Sequence, residues 1–441
     1  MSSDLPEYDS ETTLILLMAL RKISTLCKLA METLKYPSDT PIVAIQRASQ
    51  KDQRVVFSTL SKVVSENPFR ELSTPVTFVV GRTVSQRRTN LKVWQPSTTT
   101  TQKILPNKLF LVGAGPGDPS LLSLKALRLV RRADVVICDS LVLKPMSTLR
   151  DDMIVRPKKQ SDVNDLIRHY LSLNKSVVRL KTGDPCVYVG VVGIRSRSTQ
   201  TQTYHNNRYG RVSAELEAVD KDTTVYAVPG ISTAMVASLY SNILTTVRNV
   251  ANRVVILSGV ISGGRTGSSR IPSYNSKTTI VLMMCVRKIR EFTQRMVEQL
   301  GYPSDLGVAV VHKMSLEDQV VIHSDLENIA DAIRDRKMSS PAVFVIGHVT
   351  ETRFGAGVGV YSSRFKKKEE MEALLKHGLE NLGMNDEDSD SSDWNSSEFG
   401  GTGESSSSSD DSTYSIDMFD EYLERVQKVN HRKRALGVHA V

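Results

Sequence analysis

The sequence predicts an α/β protein of two subdomains, preceded by a partial duplicate of the second subdomain. Three observations carry this prediction. Short apolar runs alternate with amphipathic stretches of helical spacing. A glycine-rich loop, Gly113-Ala-Gly-Pro-Gly-Asp118, follows one apolar run and opens an amphipathic stretch. A block near the N-terminus recurs in the second half of the chain, which indicates that one supersecondary unit is used twice.

The composition is that of a globular protein with an excess of positive charge. The chain has 441 residues, of which 40% are hydrophobic and 24% charged, and its net charge is +9. This balance favours acidic partners. The sequence contains no basic patch interleaved with aromatic residues and no recognition-helix pattern, so we expect no nucleic-acid partner. A polar N-terminus and the lack of a long apolar run predict no membrane contact and a cytoplasmic location.

The four cysteines predict reduced thiols rather than a metal centre. Cys27, Cys138, Cys186 and Cys285 are widely separated along the chain. No two of them have the spacing of metal ligands, so we expect no metal in this protein.

The repeated block keeps one constant offset and needs no gap. The recurring segments are TTLILLMALRKI (12–23) with TTIVLMMCVRKI (278–289), YPSD (36–39 and 302–305), DQRVVFSTL (52–60) with DQVVIHSDL (318–326), and TPVTFVVGRTV (74–84) with SPAVFVIGHVT (340–350). In the first copy the apolar runs Leu14–Met18, Ile42–Ile45 and Val76–Val80 predict strands. Helical spacing over Lys22–Leu34 predicts a helix between the first two of them.

The repeat and the composition divide the chain into five segments. They are a partial duplicate (10–90), a linker (91–106), an N-terminal subdomain with the glycine loop (107–222), a C-terminal subdomain (223–350) and a tail (351–441). The linker is polar and predicted to be flexible. The tail is charged and rich in Ser and Asp, so we expect it to be mostly disordered. A polar insertion at about 190–211 interrupts the N-terminal subdomain.

The glycine loop looks at first like a dinucleotide site, but its residues suit phosphate poorly. The third glycine of G-x-G-x-x-G falls on Asp118, whose negative charge at a helix N-terminus would repel a phosphate. Pro116 removes one backbone N–H that a pyrophosphate cradle would use. The loop therefore favours a ligand without phosphate that approaches the backbone closely, and S-adenosylmethionine is such a ligand.

Four blocks in a fixed order then resemble one known family, the tetrapyrrole methylases. They are VGAGPGDPSLLSLKALRLVRRADVVICDSLV (112–142), VVRLKTGDPCVYVG (177–190), VYAVPGISTAMVASLYSNILTT (225–246) and the C-terminal copy of the repeat. The resemblance covers about 108–350 and is strongest to the members that methylate uroporphyrinogen III. It implies a fold of two α/β subdomains with S-adenosylmethionine held in the cleft between them. It also implies a homodimer.

The function implied by the resemblance is C-methylation of uroporphyrinogen III to precorrin-2, on the route to siroheme. Two alternatives stay open. One is another precorrin-type tetrapyrrole methylase, and the other is a non-catalytic protein that binds S-adenosylmethionine. The second is favoured by the insertion and by Val247 and Val260, which stand where the family has histidines.

The resemblance also implies the residues of the site. Methyl transfer from a sulfonium to a pyrrole carbon needs alignment of the two groups and removal of a proton. Asp139 matches the carboxylate that accepts protons, although a strand-end Asp can also simply cap a turn, and Lys158 matches a proton-donating lysine. The residues implied to contact the cofactor are Pro116, Thr182, Gly183, Asp184, Val187, Ser232, Thr233, Met284 and Met314. The partial duplicate has no counterpart of the glycine loop or of Asp139, so we expect no second active site there.

Overall fold

The structure is a computed structural model that describes most of the chain up to residue 352. The described residues are 5–86, 91–93, 106–147, 149–150, 152–155, 159–187, 215, 219, 223–260 and 270–352. The predicted insertion, Lys158, most of the predicted linker and nearly all of the predicted tail lie outside them.

The first part of the fold is a four-stranded antiparallel sheet. Its strands are β1 (Leu14–Leu17), β2 (Pro41–Gln46), β3 (Arg54–Thr59) and β4 (Val76–Val80), in the order β1-β4-β2-β3. Helices α1 (Ile23–Glu32) and α2 (Leu60–Ser65) share a core with one face of this sheet. The strands and helix predicted from the first copy of the repeat are confirmed, with small differences at their ends.

The second part is a six-stranded sheet in which every pair of neighbours is parallel. Its strands are β5 (Leu91–Val93), β6 (Leu109–Gly113), β7 (Val135–Cys138), β8 (Ile154–Val155), β9 (Val177–Lys181) and β10 (Val225–Val228), in the order β5-β10-β6-β9-β7-β8. Helices α3 (Leu124–Arg132) and α4 (Ser140–Met146) cover one face, and α5 (Gln160–Ser172) covers the other. Cover on both faces explains why these strands read as continuous apolar runs.

The short strand β5 differs from the sequence-based prediction. Leu91–Val93 fall in the predicted flexible linker, yet they pair in parallel with β10. The physical reason is that β10 would otherwise present an unpaired edge, which an adjacent segment of the chain can satisfy.

The third part is a five-stranded sheet with helices on both faces. Its strands are β11 (Arg253–Ser258), β12 (Thr278–Met283), β13 (Gly307–His312), β14 (Val320–Asp325) and β15 (Ala342–Ile346), in the order β11-β12-β15-β13-β14. Helix α6 (Thr233–Tyr240) covers one face, while α7 (Ile289–Leu300) and α8 (Ile329–Asp335) cover the other. Only the pair β11 and β12 is parallel within this sheet.

The first and third sheets share their strand order and their register at one constant offset. In the first sheet Leu14 pairs with Val80, and in the third sheet Ile280 pairs with Ile346 at the corresponding positions. Likewise, the pair of Pro41 with Thr59 corresponds to the pair of Gly307 with Asp325. The sheets differ in how they are covered. Val281 is fully buried with α6, whereas Ile15 at the corresponding position is 60% exposed.

Neither a membrane-crossing helix nor a metal cluster is found in the part of the chain that the structure describes. None of its helices combines the length and the apolar character that a bilayer crossing needs. No group of three or more His, Cys, Asp or Glu side chains in the same part is placed to hold a metal ion.

Candidate active site

The candidate site lies at one edge of the parallel sheet. Since β6, β7, β9 and β10 run in the same direction, the segments that follow them meet at the carboxyl ends of the strands. These segments carry the glycine loop after β6, Asp139 after β7, Thr182-Gly-Asp184 after β9 and Pro229-Gly230 after β10. In open α/β sheets this edge is where ligands bind.

Backbone hydrogen bonds join the two glycine motifs directly. Gly115 N donates to Gly183 O (3.2 Å), and Gly183 N donates to Gly115 O (2.7 Å). A Cβ atom on Gly113 would lie 2.6 Å from Gly183 O and from Gly230 N. Only glycine fits at this position, because the three segments approach each other through their backbones.

The Asp184 carboxylate is hydrogen-bonded to the backbone of its own turn and of the segment after β10. Its Oδ1 accepts a hydrogen bond from Cys186 N (2.8 Å), and its Oδ2 accepts one from Gly230 N (3.1 Å). Val187 belongs to the same turn, since its N–H donates to Asp184 O (3.3 Å). The turn therefore fixes Gly183 and its neighbours against the segment that leads into α6.

Ser232 and Thr233 stand beside the second glycine motif. A Cβ atom on Gly183 would lie 3.6 Å from Thr233 N and 3.8 Å from Ser232 Cα. Ser232 is the residue before the first turn of α6. The structure thus brings four of the predicted cofactor residues together, namely Gly183, Asp184, Ser232 and Thr233.

Thr182 follows β9 and carries a buried hydroxyl group. Its Oγ1 is buried and has no hydrogen-bond partner among the described residues. Buried hydroxyl groups are nearly always hydrogen-bonded in folded proteins. A bound molecule with a polar atom at this point would supply the missing partner.

The C-terminal subdomain contributes the opposite side through the loop after β13. Asp118 N donates to Ser315 Oγ (2.9 Å), and a Cβ atom on Gly117 would lie 3.2 Å from Met314 O. Pro116 and Met314, both predicted to contact the cofactor, are therefore on segments in contact. The Met314 side chain is buried in the core that α6 shares with β13, so its carbonyl group is the part that faces the glycine loop.

Met284 is a further residue that was predicted to contact the cofactor. It follows β12 with a positive φ of 55°, next to Gly259, whose N–H donates to Met283 O (2.6 Å). Among the described residues, the hydrogen bonds that join the glycine motifs do not extend to Met284.

Asp118 occupies the place where a phosphate would bind. Its Oδ1 accepts hydrogen bonds from Ser120 N (2.8 Å) and Ser120 Oγ (2.7 Å), and so caps the turn Pro119–Leu121. The backbone N–H that a phosphate would need is already taken by a carboxylate. This geometry agrees with a site for a ligand without phosphate.

Asp139 closes strand β7 and is 9% exposed. Its backbone O accepts a hydrogen bond from Val142 N (2.9 Å), which starts α4, and its carboxylate pairs with Arg179. The predicted proton donor, Lys158, lies outside the described residues.

Three charged residues of this region were missed at the level of sequence. Arg179, Lys181 and Glu215 are each 0% exposed and form a connected group with Asp139. Burial lowers the pKa of the Lys181 ammonium group, and the adjacent Glu215 carboxylate opposes that shift. The available signal was the pair of cations inside the apolar strand Val-Val-Arg-Leu-Lys, which a buried strand accommodates only with partners.

Comparisons with known proteins place the region of this site in one family. The family described as Tetrapyrrole (Corrin/Porphyrin) Methylases matches residues 108–199 and 207–330. A siroheme synthase from Acinetobacter baylyi is 35% identical over 260 residues, which is 56% of this chain and 51% of the relative. A siroheme synthase from Ruthia magnifica is 28% identical over 284 residues, which is 61% of this chain and 54% of the relative. The chain thus spans about half the length of these curated relatives.

Solved structures of uroporphyrin-III C-methyl transferase from Thermus thermophilus are also similar. The native form is 27% identical to this chain, and the match covers 56% of this chain and 99% of the solved chain, with a TM-score of 0.44. The form complexed with S-adenyl homocysteine is 28% identical, with the same coverage and TM-score. Through residues 108–330, which carry both glycine motifs and Asp139, the chain belongs to the tetrapyrrole methylase family.

Proposed function

We propose that this protein transfers methyl groups from S-adenosylmethionine to uroporphyrinogen III and so forms precorrin-2 for siroheme synthesis. The observation that carries the proposal is the joined pair of glycine motifs together with the buried Thr182 hydroxyl, which has no hydrogen-bond partner among the described residues. The names of the curated relatives support the siroheme route, at moderate identity and over about half of their length.

The residues at the sheet edge suit S-adenosylmethionine. Gly115 and Gly183 join the two loops through their backbones, and the Thr182 hydroxyl, which has no partner among the described residues, can meet a polar atom of the ligand. Gly117, the neighbour of Pro116, approaches Met314 O closely, so the glycine loop and the loop after β13 would enclose the ligand from the two subdomains. When bound, S-adenosylmethionine supplies a methyl group on a sulfonium, which is a good leaving group for transfer to carbon.

Asp139 and the overall charge suit the substrate. Uroporphyrinogen III is a polycarboxylate, and the net charge of +9 attracts polyanions. Asp139 stands at the same sheet edge as the glycine motifs, where a carboxylate can take the proton that the methylated ring releases. Lys158 stays a predicted proton donor.

We also propose that residues 10–90 are a partial duplicate of the C-terminal half and contain no second active site. The shared strand order and register support a common origin of the two sheets. The duplicate contains neither a glycine loop nor a counterpart of Asp139.

The proposal is tested in two stages on the full chain. Calorimetry with S-adenosylhomocysteine is expected to show binding, and the absence of both heat and thermal shift at millimolar ligand would refute the cofactor assignment. Incubation with S-adenosylmethionine and uroporphyrinogen III is then expected to give the doubly methylated product by mass spectrometry. Methylation of a precorrin instead identifies the first alternative, and binding without turnover of any tetrapyrrole identifies the second.

A further inference from the structure

We infer that Arg179 is a positioning residue for methyl transfer, which holds the Asp139 carboxylate at the mouth of the site and is itself held by Glu215 and Lys181. The inference rests on the proposed function, because it gives Asp139 a proton to accept. It concerns three buried charged residues that the binding of cofactor does not explain.

Arg179 fixes the ends of two strands relative to each other. Its Nη1 donates to Leu180 O on β9 (2.9 Å) and to Ile137 O on β7 (3.3 Å), and its Nη2 donates to Asp139 Oδ1. A planar guanidinium with several donors can satisfy these three acceptors at once, whereas a lysine offers one ammonium group. The position of Asp139 is therefore set by a rigid group that is anchored on the backbone of β7 and β9.

Glu215 and Lys181 hold the other side of the guanidinium. Glu215 Oε1 lies 3.4 Å from Arg179 Nε, which is within ion-pair range but is not aligned as a hydrogen bond. Glu215 Oε2 accepts a hydrogen bond from Lys181 Nζ (2.8 Å). Arg179 and Lys181 are two positions apart on β9 and so lie on the same face of the sheet.

The four side chains balance in charge, and only Asp139 among them retains any solvent exposure. Two cations, Arg179 and Lys181, face two carboxylates, Glu215 and Asp139. Asp139 is 9% exposed, whereas the other three are 0% exposed. Burying such a group costs desolvation that apolar side chains would avoid, so stability alone is a poor reason for its presence. A reason follows from its location, because Asp139, the least buried of the four, follows β7 at the sheet edge that also carries the glycine motifs.

Arg150 offers a matched comparison within the same subdomain. Its guanidinium also binds backbone carbonyl groups, those of Val130, Ala133 and Asp134, together with the Asp152 carboxylate. Asp134 precedes β7, so Arg150 braces the opposite end of the strand that carries Asp139. It is an arginine with a comparable set of contacts, and none of its hydrogen bonds or ion pairs among the described residues reaches the site.

The test is a double-mutant cycle on the full chain with four proteins and one control. The variants are Arg179→Lys, Asp139→Asn and their combination, with Arg150→Lys as the control. For each we measure kcat and KM for methyl transfer to uroporphyrinogen III, the affinity for S-adenosylhomocysteine, and the thermal midpoint.

We expect Arg179→Lys to lower kcat about 10- to 100-fold, the scale of a misplaced reacting group, with unchanged affinity for S-adenosylhomocysteine. In the Asp139→Asn background the same change should lower kcat by less than about twofold, because the group that it positions is already lost. Arg150→Lys should lower the thermal midpoint and leave kcat unchanged. If Arg179→Lys does not fold, Glu215→Gln takes its place, with the same pattern expected and a smaller loss.

Equal losses of kcat from Arg179→Lys in the wild-type and Asp139→Asn backgrounds would overturn the inference, since Arg179 would then act independently of Asp139. A loss of cofactor affinity that matches the loss of kcat would also overturn it. A wild-type protein that binds S-adenosylhomocysteine but methylates no tetrapyrrole refutes the proposed function, and the positioning role with it.

Discussion

Replacing Thr182 by valine should change stability and ligand affinity in opposite directions. The substitution removes a hydroxyl that is buried and without a partner among the described residues, while it keeps the shape of the side chain. An unsatisfied buried polar group costs about 1–3 kcal/mol. The free protein should therefore gain about 1 kcal/mol or more in its free energy of unfolding, and each 1 kcal/mol raises the thermal midpoint by about 1 °C for a chain of this size.

The same change should weaken the complex with S-adenosylhomocysteine. If the Thr182 hydroxyl bonds the ligand, its loss removes one hydrogen bond, with a net value of about 0.5–1.5 kcal/mol. That range corresponds to a dissociation constant about twofold to tenfold higher. Calorimetry gives the affinity, and thermal unfolding of the ligand-free protein gives the stability.

Thr279→Val is the matched control for Thr182→Val. Thr279 is also buried, but its Oγ1 donates to Thr245 O (2.9 Å), so its loss breaks a bond that the protein makes for itself. We expect this control to lose about 1 kcal/mol of stability with unchanged ligand affinity. The reasoning about Thr182 fails if Thr182→Val destabilises the free protein as Thr279→Val does, or if it leaves the affinity unchanged.

Three further predictions follow from the structure. Asp139→Asn should lower methyl transfer by about 10²–10⁴-fold and retain S-adenosylhomocysteine binding; a near-normal rate would reduce Asp139 to a strand-end cap worth about 1 kcal/mol. Gly113→Ala should abolish S-adenosylhomocysteine binding in calorimetry, because its Cβ would lie 2.6 Å from backbone atoms of the facing segments. As its control, Gly301→Ala places a Cβ with nothing within 4 Å, so it should cost only backbone strain of about 1–2 kcal/mol and bind the ligand normally. Deleting residues 1–86 should leave the number of bound cofactors per chain unchanged. Extending the deletion to 1–95 should lower the thermal midpoint further, because it removes β5. A halved number of bound cofactors after either deletion would reveal a second site.

Several features of this protein could be predicted because their signals are local. The strands of the first copy follow from short apolar runs, and the helix between them follows from helical spacing. The glycine loop requires a close approach of backbones, which is a property of glycine itself, and Asp118 at the start of a turn disfavours phosphate wherever the turn lies. The order of the motif blocks identified the family, which the comparisons confirm.

Other features depended on residues that are far apart in the sequence. The pairing of Gly115 with Gly183 and the contact of Asp118 with Ser315 exist only once the strands are ordered and the two subdomains meet. Strand β5 forms because β10 has an open edge, and the sequence of Leu91–Val93 does not indicate that this edge is nearby.

The sequence by itself determined the α/β class, the recurrence of similar segments and the residue types of the two glycine motifs, because each of these depends on residues that are neighbours in the sequence. Tertiary structure alone decided that the Thr182 hydroxyl is buried without a hydrogen-bond partner among the described residues, and that Met314 turns its carbonyl group toward the glycine loop. Only the tertiary structure shows that Arg179 on β9 pairs with Asp139 at the end of β7. It also shows that Glu215, which follows the insertion in the sequence, lies within ion-pair range of Arg179. The physical reason is that a buried charge requires partners, but any opposite charge that the fold brings near can satisfy it, and the sequence does not say which one that is.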